Sequence, residues 1–214
     1  MKDKLFSKLN KEAIIYYGDH IYNTSALTRE EYEIISGSVL KRKREFCTGR
    51  YFSHEALKEL GKDNITLFKS QEGMPIWPDG IEGSISHCLH KGVVVVIRSD
   101  YKIFCGIDIE CNKALPKEVE RLILSKYELQ QCIDLKTKKT NIFWETLIFS
   151  IKETMYKYWC NKLNYKLKPE ECEIKLIANK DLFYAKCKLP NDNIEYIIGE
   201  FIIIDNHIIT LVIK

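Results

Sequence analysis

The 214-residue chain holds eight cysteines, yet no two are spaced Cys-x-x-Cys. That excludes a zinc ribbon and a thioredoxin-type redox pair. Met1 to Asn10 is too charged to read as a secretory leader. The cysteines are therefore expected as free thiols in a reducing compartment, which points to the cytoplasm. No apolar run reaches the ~20 residues of a membrane helix, so no membrane partner is expected. There is no Gly-x-x-x-x-Gly-Lys-Ser/Thr loop and no Gly-x-Gly-x-x-Gly turn, which leaves P-loop and dinucleotide folds unsupported. The Gly-x-Ser-x-Gly elbow of a Ser-His hydrolase is missing too. A net charge of +3 is too mild to argue for nucleic acid.

What is present is a globular composition, 45% hydrophobic and 29% charged, long enough for one large domain or two small lobes. Ala13 to Tyr17 reads as a strand stopped by Gly18-Asp19. Thr28-Arg29-Glu30-Glu31 opens a helix, with acidic residues in its first turn. The helical pattern runs to about Leu60, interrupted at Ser36-Gly37-Ser38 and ended by Gly61. Residues 64–69 read as a short strand before a turn-rich loop, Glu72 to Gly80. Gly83 to Cys88 and the β-branched run Gly92 to Ile97 follow as strands. A turn over 99–102 then leads into a strand at Cys105, expected to form an antiparallel hairpin with Gly92–Ile97. In the second half, Pro116 starts an amphipathic helix reaching residue 129, and a lysine-rich connection spans 134–140. A second long helix covers Asn141 to Asn164. Four strands close the chain: Glu173 to Ala178, Leu182 to Leu189, Ile194 to Ile204 and Ile208 to Ile213. Asn179-Lys180-Asp181 and Asn191-Asp192-Asn193 supply turns. Each half thus carries a long helix and antiparallel strands. The expected class is α+β, with two similar lobes, 1–105 and 106–214, a pseudo-two-fold arrangement, and a site between them.

Cys105-Gly106-Ile107-Asp108-Ile109-Glu110 alternates with period two, so Ile107 and Ile109 face a core and Asp108 and Glu110 leave the other face together. Two like charges on one short strand repel, which a cation between them would relieve. Oxygen-only ligands suit a hard cation, Mg²⁺ or Mn²⁺. Taken alone, the hexapeptide also reads as a solvated acidic face. On the second long helix, Glu153 and Lys157 share a face and Lys152 adjoins them. A surface ion pair would explain that spacing, but Phe149, Tyr156 and Trp159 mark the segment as packed. Three carboxylates, Asp108, Glu110 and Glu153, can hold one Mg²⁺ with phosphate oxygens beside it, and nearby lysines and arginines can neutralise a polyphosphate. Such an ensemble suits attack at phosphorus. Arg42, Phe46, Gly49 and Arg50 share roughly one side of the first long helix, in a basic run that a solvated face would also explain. Ser86-His87 at a strand end can present a hydroxyl and an imidazole to an anion. The alternative for His87 is a buried, hydrogen-bonded side chain, since no further zinc ligands stand at fitting distances.

Four segments, in order, resemble the 4'-phosphopantetheinyl transferases, in the monomeric, two-lobed class near the enterobactin synthase component D subgroup. Arg42 to Arg50 resembles an Arg-x-x-Glu-Phe-x-x-Gly-Arg helix. Pro75-Ile76-Trp77-Pro78-Asp79-Gly80 with Gly83-Ser84-Ile85-Ser86-His87-Cys88 resembles a Trp-Pro loop and Ser-His signature. Gly106-Ile107-Asp108-Ile109-Glu110 matches Gly-[Ile/Val]-Asp-x-Glu. Phe149-Ser150-Ile151-Lys152-Glu153, with Lys157, matches Trp/Phe-Ser-x-Lys-Glu-x-x-x-Lys. The likeness spans 42 to about 168. The first 30 and last 40 residues carry no matching signature, and Glu72 stands where some relatives have a basic residue.

The resemblance implies transfer of the 4'-phosphopantetheine arm of coenzyme A to a serine of an acidic apo carrier protein, releasing 3',5'-ADP. It implies Mg²⁺ (or Mn²⁺) on Asp108, Glu110 and Glu153. Arg42, Arg50, Lys69, Ser86 and His87 would contact the coenzyme's phosphates. Lys152 and Lys157 would neutralise the pyrophosphate, and Glu153 would be the base. Asp108, Glu153 and Lys157 form the expected catalytic set. The carrier belongs to siderophore, nonribosomal peptide, polyketide or fatty-acid synthesis. Lys117, Lys126, Lys136, Lys138 and Lys139 are candidates to meet it, or a plain solvated surface. Two other classes compete: a coenzyme A- or carrier-binding module without activity, and a metal-dependent phosphohydrolase.

Overall fold

A computed structural model describes residues 13–99 and 102–214. The chain divides into two compact units between Cys105 and Gly106. The architecture is α+β, with antiparallel pairing in a three-stranded and a five-stranded sheet.

In the first unit the order is β1 (Ile14–Asp19), α1 (Arg29–Ile35), α2 (Leu40–Glu59), β2 (Ile81–Cys88) and β3 (Lys91–Arg98). The sheet runs β1-β3-β2, with β3 central and antiparallel to both neighbours. Val93 to Val96 are fully buried, as a β-branched run in a central strand should be. α2 covers one sheet face: Phe52, Ala56 and Leu57 join Val94, Val96, Leu67 and Ile81 in one core. Helix α1 starts in a capping box. The Thr28 hydroxyl accepts from the Glu31 N–H, and the Glu31 carboxylate accepts from the Thr28 N–H.

Two expectations change here. Residues 64–69 are not a strand; a single bridge, Lys69 to Pro75, closes a tight loop. The β-like composition of that stretch reflects burial of Leu67, which is 0% exposed, rather than strand pairing. The hairpin partner of β3 is β2 and not the Asp108 strand, which belongs to the other sheet. The expected turn over 99–102 includes residues 100 and 101, which lie outside the described residues, as does Met1 to Asn10.

Glu82, on β2, is driven by burial to a pKa of about 7. A carboxyl whose folded pKa lies above its unfolded one weakens the fold once pH rises past the unfolded value, and that cost fades as pH falls. Glu82→Gln is therefore expected to stabilise by roughly 1–3 kcal/mol at pH 8. Most of this gain disappears at pH 4.5, where the wild-type carboxyl is neutral. Chemical denaturation at the two pH values reads the difference, and an equal gain at both would refute the assignment.

The second unit contains β4 (Cys105–Cys111), α3 (Lys117–Ile123), α4 (Lys126–Lys136), α5 (Trp144–Leu163), β5 (Cys172–Ile177), β6 (Leu182–Lys188), β7 (Ile194–Ile204) and β8 (His207–Ile213). Its sheet order is β4-β8-β7-β6-β5. Three successive antiparallel hairpins turn at residues held in positive φ, among them Asp181, Asn191 and Asn206. The single helix expected over 116–129 is two helices. Leu124 leaves the helical path, and Ser125 then caps α4 in a second capping box with Glu128. α5 lies across β8 and β5, burying Trp144, Leu147, Ile148, Ile151, Met155, Tyr158 and Trp159 completely. All eight cysteines are free thiols. Among the described residues, no helix is long and apolar enough to cross a membrane.

Candidate active site

In the first unit, α2 and β2 meet at a cationic pocket. Ile85 and His87 point to the same side of β2, toward the first half of α2. Arg42 Nη1 lies 3.4 Å from His87 Nε2. The Glu45 carboxylate holds both, with Oε2 at 3.5 Å from Arg42 Nη1 and 3.6 Å from His87 Nε2. Arg50, two turns along, stacks on Phe46 with its guanidinium carbon 4.6 Å from the ring centre. Burial draws the Arg50 pKa down to about 10, so the guanidinium stays charged at neutral pH. Lys69 reaches the same place from the loop. Gly73, at φ +91, tightens that loop, and a Cβ there would sit 3.0 Å from Lys69 Cε. The result is a cavity of about 140 Å³ walled by Arg42, Glu45, Phe46, Arg50, Lys69 and His87. Four of the five expected phosphate contacts are thus together. Ser86 is not with them: it is buried on the opposite face of β2, as strand alternation requires.

In the second unit, α5 is laid directly on β4. A Cβ on Gly106 would sit 2.3 Å from the Thr154 carbonyl oxygen and 2.9 Å from the Tyr158 nitrogen. Only glycine permits this approach, and it brings α5 onto Asp108. Asp108 is 3% exposed. Lys157 Nζ donates to Asp108 Oδ1 at 2.7 Å and to the Ile107 carbonyl at 3.1 Å. Ser150 Oγ donates to Asp108 Oδ2 at 2.8 Å. Behind Ser150, the hydroxyls of Thr210 and Thr154 continue the network at 3.0 and 2.6 Å. The acidic face of the strand is therefore covered by a helix rather than solvated, and Lys157 pairs with Asp108 between α5 and β4. Glu153 lies near both. Burial first, then the Asp108 carboxylate, push its pKa up, and Lys157 opposes. Glu110, half-buried, follows Asp108 on the same face of β4.

Lys152 departs from expectation. Its side chain is 5% exposed, paired with Glu128 Oε2 at 2.9 Å, and donates to the carbonyls of Ile123 and Pro169 at 2.7 and 3.0 Å. The ammonium is spent within the fold. It ties α5 to α4 through Glu128 and to the segment before β5 through Pro169, and Glu128 in turn accepts from the Ile174 N–H of β5. Its stem, with Phe149, Tyr156, Leu167 and Pro169, instead lines a mostly apolar cavity of about 280 Å³ that has Glu153 in its wall.

Two family profiles divide the chain between them. The 4'-phosphopantetheinyl transferase N-terminal domain matches residues 30–97, and the 4'-phosphopantetheinyl transferase superfamily matches residues 104–212. The chain belongs to the 4'-phosphopantetheinyl transferase superfamily. It is an enzyme of that family by descent. It is similar to the 4'-phosphopantetheinyl transferase Svp of Streptomyces mobaraensis, with 31% identity over 78% of this chain and 68% of that protein. It is also similar to PptT of Mycobacterium tuberculosis, with 36% identity over 61% of this chain and 56% of PptT. Enterobactin synthase component D of Salmonella typhi is 32% identical over 58% of this chain and 50% of that protein. The matched segments span about half to two thirds of these relatives' lengths.

The transferase-family segments coincide with the geometry. The first profile ends on β3, past the cationic pocket; the second starts beside β4 and takes in the whole five-stranded sheet. Ser150 stands in the matched motif but carries no role in the sequence reading, although it shares a helical face with Glu153 and Lys157 at spacings of three and seven. Glu45 likewise belongs to the matched Arg42 to Arg50 segment without a role assigned, and its place among the cations shows only once α2 meets β2.

Proposed function

We propose that the chain transfers the 4'-phosphopantetheine arm of coenzyme A to a serine hydroxyl of an acidic apo carrier protein, releasing 3',5'-ADP. The observation that carries this is the set on β4 and α5: a buried Asp108 gripped by Lys157 and Ser150, with Glu153 pressed against the same charge. The donor chemistry suits a divalent cation, Mg²⁺ before Mn²⁺, but the three carboxylates are not gathered with one oxygen from each within 4.8 Å of one another, so a cation would have to draw them in. Asp108, Glu110 and Glu153 offer oxygen alone, and the repulsion that raises Glu153 is what a cation would relieve. A bound Mg²⁺ would supply positive charge to the pyrophosphate of the coenzyme.

The chain's own residues do the rest. Glu153 takes the proton from the carrier serine, directly or through a water, as the serine oxygen bonds to phosphorus and the bond to the 3',5'-ADP oxygen breaks. Lys157, with two N–H groups fixed on Asp108 and Ile107, offers its charge to the leaving phosphate. The cavity beside Glu153 suits the uncharged pantetheine arm, and Arg42, Arg50, Lys69 and His87 suit the coenzyme's phosphates. In this reading residues 1–105 and 106–214 are two lobes of one cytoplasmic, monomeric enzyme. Its carriers belong to siderophore, nonribosomal peptide or polyketide synthesis, as the name of the enterobactin synthase relative favours.

Intact mass of an apo carrier protein, incubated with coenzyme A, Mg²⁺ and this enzyme, tests the proposal. A gain of one phosphopantetheine, abolished by EDTA, is the expected result. Coenzyme A split without a carrier would instead make the chain a phosphohydrolase. Binding without any reaction would make it a coenzyme-binding module.

A further inference from the structure

Glu31 is the residue in the first unit whose chemistry is least explained by its place in the chain. It is 0% exposed, a carboxylate inside an apolar setting. A capping box needs only one of its oxygens, and Oε2 fills that role at 3.0 Å from the Thr28 N–H. The other oxygen, Oε1, faces inward and gathers three groups. His54 Nε2 stands at 2.9 Å, the Leu67 N–H donates at 3.0 Å, and Arg50 Nε lies at 3.6 Å as an ion pair. Arg50 has a side chain 5% exposed, and among the described residues its Nε finds no hydrogen-bond partner. Its charge is balanced by Glu31 and by the face of Phe46. Leu67, held by the same oxygen, is two residues before Lys69. One buried anion therefore ties down both sides of the cationic pocket, the helix side through Arg50 and the loop side through the Leu67 backbone.

We infer that Glu31 is a positioning residue for the phosphate pocket, setting Arg50 and the Lys69 loop for the phosphates of coenzyme A. This rests on the reading of that pocket given above. The charge matters as well as the hydrogen bonds. An amide at position 31 still accepts from Thr28 or Leu67, but it leaves Arg50 as a buried cation without its counter-charge. The guanidinium then gains by turning toward solvent, and the pocket loses its preset shape.

The experiment is a double-mutant cycle of Glu31→Gln and Arg50→Gln, read as KM for coenzyme A, kcat, and binding of adenosine 3',5'-bisphosphate by calorimetry. Glu31→Gln is expected to raise KM for coenzyme A and the bisphosphate Kd by about tenfold, with kcat within about twofold. In the Arg50→Gln background the same change is expected to add less than about twofold, because the amide can keep the Leu67 bond and the charge of Glu31 acts through Arg50. The double variant removes both buried charges and keeps the test readable if the single variant folds poorly. His54→Gln removes another partner of Oε1 and is expected to leave KM unchanged. A Glu31→Gln enzyme with lower Tm and lower kcat but wild-type KM and Kd would overturn the inference and leave Glu31 a helix cap. So would a penalty of equal size in both backgrounds. Failure of the wild type to modify any carrier would strike the transferase reading instead, while the bisphosphate titration would still judge Glu31.

Discussion

Glu153→Gln is expected to lower the rate of phosphopantetheine transfer by about 10³-fold while costing no stability. The amide can neither take a proton nor offer a charged oxygen to a cation, so the loss should appear in kcat. The stability side follows from the environment. Burial and the Asp108 charge both disfavour the ionised Glu153, so its folded pKa lies above the ordinary carboxylate value. Ionisation at pH 8 thus works against the fold, and the neutral amide is expected to raise Tm by about 1–2 °C. For the same reason wild-type activity should begin to fail at a higher pH than a free carboxylate would dictate. Added Mg²⁺ should move that acid limb down, since cation and proton compete for the same oxygens. A variant with a lowered Tm and only a few-fold loss of rate would show that Glu153 is structural. Paired measurements of initial rate and melting temperature separate the two outcomes.

Much of this arrangement is legible in residue order. The alternation through Asp108 and Glu110 and the apolar residues around Glu153 mark a strand and a packed helix that carry carboxylates. The four closing strands are legible because Asn and Asp mark their turns. The resemblance assigns Arg42, Arg50 and His87 together to the coenzyme's phosphates, and the three do share a cavity.

What is not legible depends on contacts distant in sequence. Which strand pairs with Asp108 cannot be read locally: adjacency favours a hairpin with β3, but the five-stranded sheet claims the strand through β8. Ser86 and His87 are neighbours in sequence and opposite in direction, so of the two only His87 lines the pocket with Arg42 and Arg50. Lys152 sits beside Glu153, yet a helix turns about 100° per residue, and the ammonium ends at Glu128. Glu31 announces itself as a helix cap, and nothing in Thr28-Arg29-Glu30-Glu31 says that its second oxygen lies within reach of Arg50.

Gly106→Ala is expected to cost about 3 kcal/mol or more, lowering Tm by roughly 6–12 °C, and to depress transfer even in the folded fraction. The added methyl would meet the Thr154 carbonyl oxygen at 2.3 Å and the Tyr158 nitrogen at 2.9 Å. Both are backbone atoms of one helix, so no side-chain rotamer can make room; α5 itself must lift from β4. Met155, Tyr158 and Trp159 on that helix are fully buried, which makes lifting costly. Even a shift of about 1 Å would lengthen the Lys157 and Ser150 bonds to Asp108, now 2.7 and 2.8 Å. Asp108 would then be a buried carboxylate with weakened partners. Gly37→Ala is the control, because a Cβ there meets nothing within 4 Å. It is expected to leave Tm within about 2 °C of wild type. Thermal melts of the two variants, with transfer assayed well below each midpoint, decide the matter. A Gly106→Ala protein that melts with the control and transfers at the wild-type rate would mean that α5 does not need to lie on β4 for the site to form.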